Sequence, residues 1–319
     1  MQFQVLPRTD LRVSNLCLGT ASFGADIGES DSLALLDQFF DAGGNFLDTA
    51  AIYAAWTAAG KGSSEKLIGK WLRSRKRSAL VGTKGGHPEL ASMQEGRLSH
   101  REVGADLEQS LSNLGVETID LYYLHRDDPK VPVEGILSFL EDFVAAGKIR
   151  YYGFSNWSPL RAQEAHFVAQ AGGITGFVAN QPLWSLAQAD TTNLDPTMVA
   201  MSADFEKWHL QNQVAVVPYS SQANGYFNKI AENKPLSSSV SSTYDSDHVR
   251  SVNRTRGARI QALSHETGFN ITQIGLGFLL GQPFPTVPII GCNSPAQLAD
   301  SLSAAEVRLT AEQIAQLVE

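Results

Sequence analysis

The sequence predicts an α/β protein folded as a (β/α)8 TIM barrel, one domain over residues 1–319. Three observations carry this. Eight apolar, strand-like runs alternate with stretches of helical periodicity, the signature of a parallel sheet with crossover helices. Composition shows no break along 319 residues, a length that one barrel accommodates. Finally, Asp48, Tyr53, Lys84 and His125 fall just after three of the runs. Parallel strands open their C-terminal ends on one face, where such a barrel keeps its chemistry.

In chain order, Phe3 to Leu6 and Leu11 to Val13, with Pro7 to Asp10 between them, read as a hairpin that plugs the barrel bottom. Core strands are expected at Leu16–Leu18, Asn45–Leu47, Ala79–Thr83, Ile119–Leu124, Ile149–Phe154, Phe177–Asn180, Val214–Pro218 and Thr286–Ile290. Helices are expected at Ser32–Ala42, Ser64–Arg73, Arg101–Leu114, Val133–Ala146, Leu160–Gln170, Met198–Leu210 and Arg256–Thr267. Ser99, with Glu102 three residues on, and Ser158-Pro159 are helix starts. Gly43-Gly44, Gly115 and Gly147 stand where helices stop. From Ser220 to Asn253 the chain is rich in Ser, Asn, Asp and Gly, too polar for a core element. This long loop after the seventh strand is read as a mobile lid on the catalytic face.

Bulk properties exclude several classes. The formal charge is 25 − 33 = −8 and no Lys/Arg block interleaves with aromatics, which argues against a nucleic-acid partner. No basic stretch leads into an apolar N-terminal run, and no window approaches about 18 apolar residues, so a cytoplasmic protein without membrane association is expected. Cys17 and Cys292, far apart and flanked by apolar runs, fit reduced core thiols. Gly60-Lys61-Gly62-Ser63 lacks the first glycine of a phosphate loop, and Gly275-Leu-Gly277 has the wrong spacing for a dinucleotide fingerprint. Both read as structural.

The four strand-end residues suit carbonyl reduction, which needs a hydride to carbon and a proton to oxygen. Tyr53 is the candidate acid. A free phenol titrates near pH 10, whereas a proton donor works best with a pKa near the operating pH. A cation about 4 Å away contributes about 4 kcal/mol at an effective dielectric of 20, enough to lower the phenol's pKa by up to about 3. Lys84 supplies that cation, and Asp48 keeps the ammonium charged and aimed. His125, as a neutral imidazole, is placed to hold the substrate oxygen. Each residue alone has a plainer reading: Asp48 a loop acid, Lys84 a solvated terminus, Tyr53 a rim aromatic, His125 a core histidine or a metal ligand with His87 and Asp127. Joint placement at successive strand ends favours the catalytic set.

The chain also resembles the aldo-keto reductase family. The matching pieces are Leu18-Gly19-Thr20 with Phe23-Gly24, Phe46-Leu47-Asp48-Thr49-Ala50 followed by Tyr53, Thr83-Lys84, and Asp120-Leu121-Tyr122-Tyr123-Leu124-His125. Gly147-Lys148-Ile149-Arg150 runs into Gly153-Phe154-Ser155-Asn156-Trp157, and Pro288-Ile289-Ile290-Gly291 precedes Gln297. The resemblance implies a barrel that binds NADP(H) across its C-terminal mouth, with Asp48, Tyr53, Lys84 and His125 as the catalytic tetrad. It further implies that Ser155, Asn156 and Gln181 bind the nicotinamide carboxamide and that Tyr219 stacks on the ring. Thr20 and Ala21 would lie near the nicotinamide half, Ser220, Ser221, Gln222 and Ala223 near the pyrophosphate. Gly291, Cys292, Asn293, Ser294, Gln297, Asp300 and Ser301 match the adenosine segment.

Two departures stand out. Members that prefer NADP commonly place an Arg or Lys in the segment matched here by Gly291 to Gln297, to meet the 2′-phosphate. This chain has none there, so either Lys229, Lys234, Arg250 or Arg254 serves from the lid or NAD(H) competes. The acid and amide that usually bind adenine correspond to Asp300 and Ser301. The expected partner is a small carbonyl or alcohol substrate, with Trp56, His87, Arg126, Trp157 and Trp184 lining its pocket beside Tyr53 and His125. The alternative function is a slow-turnover NADP(H) sensor resembling potassium-channel β-subunits, and a further one a metal-dependent hydrolase using His87, His125 and Asp127. Oligomeric state is not readable from the sequence.

Overall fold

A hairpin comes first: β1 (Phe3–Val5) pairs antiparallel with β2 (Arg12–Ser14), Gln4 opposite Val13. The computed structural model describes residues 1–319. Leu6, Leu11 and Val13 of this hairpin are buried with Phe46, Leu121, Tyr123 and Val287 in the barrel interior. Its polar groups bond the segments that enter the strands: Ser14 N–H donates to Asn45 Oδ1 (2.7 Å), Arg8 to the carbonyls of Thr175 (2.8 Å) and Phe177 (2.7 Å). The hairpin therefore closes the N-terminal end of the barrel, opposite the strand ends that carry the site.

Eight parallel strands follow: β3 (Cys17–Gly19), β4 (Phe46–Asp48), β5 (Leu80–Gly85), β6 (Ile119–Leu124), β7 (Ile149–Ser155), β8 (Ala179–Gln181), β9 (Ala215–Val216) and β10 (Ile289–Ile290). They neighbour one another in chain order, and β10 pairs with β3. Val216 N–H donates to Pro285 O and Val287 N–H to Val216 O, both at 2.8 Å, so β9 meets the approach to β10 and the ring closes. Side chains alternate as strand geometry requires. On β6, Leu121 and Tyr123 face the barrel interior, while Tyr122 and Leu124 pack against the helical layer. Tyr123 occupies space that glycine leaves on both neighbouring strands. A Cβ on Gly153 would lie 2.7 Å from its ring, and one on Gly82 at 3.3 Å.

The connecting helices are α1 (Glu29–Asp41), α2 (Ser63–Arg75), α3 (His100–Leu114), α4 (Val133–Ala145), α5 (Pro159–Gly172) and α6 (Ala203–Asn212). Ser99 and Ser158 cap α3 and α5 as expected, accepting from the N–H groups of Glu102 and Arg161. The sixth helix starts later than expected at Met198. Leu183 N–H donates to Val199 O (3.2 Å) and Met201 N–H to Leu183 O (2.9 Å), which holds 199–201 extended until Ser202 caps α6.

The polar stretch after the seventh strand is the larger correction. It folds as a 3-10 turn (Ala223–Gly225), α7 (Tyr226–Ala231) and α8 (Ser238–Tyr244), and its end, Arg250 to Asn253, is already the first turn of α9 (Arg250–Thr267). Tyr226, Val240 and Tyr244 are buried in a second apolar cluster with Trp184, Ile260 and Phe278. The serines of α8 lie outside that cluster, and Ser237 caps the helix. Three more helices complete the chain: α10 (Ile271–Leu280), opened by an Asn270/Gln273 capping box, α11 (Pro295–Leu302) and α12 (Ala311–Val318). No helix is long and apolar enough to cross a membrane.

Candidate active site

Five consecutive strands, β4 to β8, deliver the candidate side chains at their C-terminal ends. Asp48 ends β4, Lys84 is next to last in β5, His125 follows β6, Ser155 ends β7 with Asn156 after it, and Gln181 ends β8. Tyr53 comes from the turn after β4. Ala51 N–H donates to Lys84 O (3.0 Å) and Gly62 N–H to Tyr53 O (3.2 Å), which pins that turn over the end of β5.

Lys84 is 1% exposed and Asp48 3% exposed, so this ion pair is held out of water. Its geometry compensates for desolvation. Lys84 Nζ donates to Asp48 Oδ1 (2.9 Å) and Oδ2 (2.8 Å), to Thr49 O (2.6 Å) and to the Tyr53 hydroxyl oxygen (3.0 Å). Gln181 Nε2 donates to Asp48 Oδ1 at 2.8 Å. Since the Tyr53 oxygen accepts from the ammonium, its own proton points elsewhere, and the nearest protein acceptor, Asp48 Oδ2, is 3.4 Å away. That is long for a hydroxyl–carboxylate bond. The phenol proton is weakly held by the protein and available to the cavity.

Electrostatics qualify the expectation that Lys84 brings Tyr53 toward neutral pH. Burial is the largest influence on the phenol and raises its pKa; Lys84 lowers it, Asp48 opposes Lys84, and the net lies above the usual 10. Lys84 itself is penalised first by burial, yet Asp48 and Tyr53 together raise it above its ordinary value. His125 is held well below its ordinary value by burial, then by Arg126, His87 and Lys84, so it is a neutral imidazole at physiological pH. Its Nδ1 is buried without a partner. The His87 ring stands edge-on to it, centroids 4.7 Å apart, with Nδ1 2.6 Å from Pro88 O.

A cavity of about 990 Å³ runs from Tyr53 and His125 across the barrel mouth to α11. It brings together Thr20, Ala21, Asp48, Ser155, Asn156, Gln181, Tyr219, Ser220, Ser221, Gln222 and Ala223 with Gly291, Cys292, Asn293, Gln297, Asp300 and Ser301. Ser294 is not in the lining; it caps α11, accepting from Gln297 N–H. Asn156, at φ 61°, is already fully engaged by the protein. Its Nδ2 donates to His125 O (3.1 Å) and Ser155 Oγ (2.9 Å), and its Oδ1 accepts from Val199 N–H (3.1 Å) and the Tyr219 hydroxyl (2.9 Å). Ser220, Ala223 and Asn224 all have positive φ, a cluster of backbone strain of the kind that marks ligand clamps. Gln222 Nε2 reaches across to Ser301 Oγ at 2.9 Å.

At the α11 end the wall is polar and lacks a cation of its own. Gln297 Oε1 accepts from Asn293 N–H (2.8 Å), and Asp300 Oδ1 accepts from Asn270 Nδ2 (2.8 Å). Burial raises the Cys292 thiol to about 11, keeping it protonated. Of the four lid cations, Lys229 and Lys234 line the cavity. Arg250 and Arg254 do not, being tied to Asp245 at 3.4 and 3.0 Å.

The expected tryptophan lining needs correction. Trp157 is 0% exposed and packs on Phe177 (centroids 5.1 Å apart), under the Arg161 guanidinium. Trp184 stacks on Phe284 (5.9 Å) in the second apolar cluster. Both spend their large apolar area on the core. Trp56 is exposed at the rim, 6.3 Å from the Tyr53 ring, and Arg126 lines the cavity. Asp127 pairs with Arg161 at 3.4 Å, and no group of three His, Cys, Asp or Glu side chains is arranged to hold a metal ion. Sequence reasoning missed the contribution of α10, whose Ile271, Thr272 and Gly275 line the cavity. Asn270 and Gln273, spaced as a capping box, were the legible signal for that helix.

The comparisons agree with this geometry. The uncharacterized oxidoreductase YrpG of Bacillus subtilis is 30% identical over 98% of this chain and 93% of its own length. The norsolorinic acid reductase stcV of Emericella nidulans is 29% identical over 97% of this chain and 78% of its own length. The NADP(+) aryl-alcohol dehydrogenase of Phanerodontia chrysosporium is 27% identical over 98% and 83%. Residues 15–319 match the sequence model of the Aldo/keto reductase family, and the chain is a member of that family.

Proposed function

We propose that this protein interconverts an aldehyde or ketone with the corresponding alcohol, using NAD(P)(H) held across the barrel mouth and Tyr53 as general acid and base. One observation carries the reading: the Tyr53 hydroxyl accepts from a buried ammonium at 3.0 Å and has no strong protein acceptor for its own proton.

The cavity fits a dinucleotide. It is long, polar, and flanked by a half-buried tyrosine, Tyr219, near the catalytic end and by the first turn of α11 at the other. When bound, the nicotinamide would supply the hydride. Gln181 and Ser155 would hold the carboxamide, while Asn156, its amide consumed, would act by fixing the Tyr219 ring and the His125 carbonyl. Gln222 and Ser221 would cover the pyrophosphate, and Asn293, Gln297 and Asp300 would meet the adenosine. The cations available to a 2′-phosphate are Lys229 and Lys234.

In reduction, Tyr53 gives its proton to the carbonyl oxygen as the carbon is reduced. The phenolate left behind keeps the Lys84 bond, now charge-assisted, so the ammonium is worth more after proton transfer than before. Asp48 and Thr49 O hold that ammonium in place. His125, neutral, has no proton to compete with Tyr53 as an acid and serves to orient the oxygen. The raised phenol keeps Tyr53 protonated at neutral pH, the form reduction needs; oxidation needs the phenolate and should gain with rising pH. We place the enzyme in the cytoplasm and read residues 1–319 as one domain.

Tyr53→Phe tests the proposal. Turnover of aldehydes should fall by roughly a hundredfold to ten-thousandfold, while NADPH and NADH titrations followed by tryptophan fluorescence should retain the native affinities. Native turnover in that variant would overturn the mechanism.

A further inference from the structure

We propose that Arg126 is an anion anchor and that the natural substrate is a carbonyl compound bearing a carboxylate a few bonds from the reacting carbon. This rests on the carbonyl-reductase reading above. Arg126 follows His125 directly and lines the same cavity as Tyr53 and His125. It is half-buried, and no carboxylate forms an ion pair with it. Three other cations of the barrel mouth and its surroundings differ: Lys84 has Asp48 at 2.8 Å, Arg97 has Asp106 at 3.4 Å, and Arg161 has Asp127 at 3.4 Å. Arg256, which also lacks a carboxylate, lies outside the cavity and donates to Leu186 O at 2.8 Å.

The guanidinium is also aimed. Nη1 donates to His125 O (3.0 Å) and Nε to Thr197 Oγ1 (3.0 Å). The Thr197 hydroxyl can accept because its own proton goes to Asp195 Oδ1 at 2.6 Å, and Thr197 N–H donates to the same oxygen at 2.8 Å. Asp195 is thereby occupied in orienting Thr197 and does not pair with Arg126. Two bonds fix the plane of the fork and leave Nη2 without a protein partner. Asp195 acts on the guanidinium only through space, not as a direct ion pair, so the half-buried fork keeps a free donor, and a planar carboxylate matches it. Phosphate is the poorer fit, since no second free cation stands near: Lys61 is paired with Asp106 at 3.3 Å, and burial keeps His87 below its ordinary pKa.

The test compares succinic semialdehyde with butanal, which lacks the carboxylate. The wild type should prefer the acid in kcat/KM by about 10- to 100-fold, the range of a charge-assisted pair, chiefly through KM. Arg126→Gln should bring that ratio close to one, and Arg126→Lys should restore part of it. A ratio unchanged by Arg126→Gln, or a wild type that prefers butanal, overturns the proposal. If neither aldehyde is turned over, the carbonyl-reductase reading fails, and calorimetric titration with butyrate still decides the anchor. Butyrate binding that Arg126→Gln abolishes supports it; equal binding by both proteins, or none, sinks it.

Discussion

The two ends of the cavity are built on different principles. At the catalytic end every functional atom hangs from a strand terminus or a turn clipped to one, and Asp48, Lys84, Tyr53 and Gln181 form one bonded set. At the α11 end the lining comes from helix and loop residues, polar side chains that include the Asp300 carboxylate and are bonded to other side chains and to backbone. The chemistry is fixed by barrel strands that cannot shift without breaking the sheet. On the proposed function, the choice of cofactor falls to parts that can change without touching the reaction.

Lys84→Met should break the comparison most sharply. It strands Asp48 as a buried carboxylate, so stability should fall by about 3–5 kcal/mol in urea melts, with turnover down at least about a hundredfold. Should both stay near native, the catalytic end is not the rigid unit described. A smaller effect is expected at the other end. Replacing Lys229 and Lys234 with Ala should lower the ratio of NADPH to NADH affinity by roughly 5- to 10-fold, modest because both side chains are partly or fully solvated. Melting temperature should not move, and an unaltered ratio would locate 2′-phosphate selection elsewhere. Smallest of all, Gln222→Ala removes the bond to Ser301 and should speed cofactor release by about 2- to 5-fold in stopped-flow traces. An unchanged release rate would mean that this bridge is no part of the clamp.

The catalytic end was legible in the sequence because strands translate position into direction: a polar residue just past an apolar run must stand at the barrel mouth. Asp48, Lys84 and His125 needed nothing more. Depth was not legible. The pKa of Tyr53 depended on a burial cost that outweighs Lys84, and no spacing rule reports how far a ring is sunk. Trp157 failed for a related reason, since its place after a strand does not say which side of the strand the indole turns to. The stretch from Ser220 to Asn253 misled through composition. Its apolar residues are few but fall four apart, as in Val240 and Tyr244, and that spacing on one helix face outweighs the serines between them. Arg126 was visible as a pocket residue, but its lack of a direct ion pair depends on Asp195 and Thr197, about 70 positions away.

Tyr123 and its flanking glycines carry one more consequence. The ring lies between Gly82 and Gly153 on the neighbouring strands, beneath the floor on which Asp48 and Lys84 stand. Bulk absent from two strands is supplied by a third. The two glycines are not equivalent: a shorter residue 123 would make room for a side chain at 82, whereas one at 153 would still meet the Ala179 carbonyl oxygen at 2.7 Å, so only the first position can trade bulk with the tyrosine.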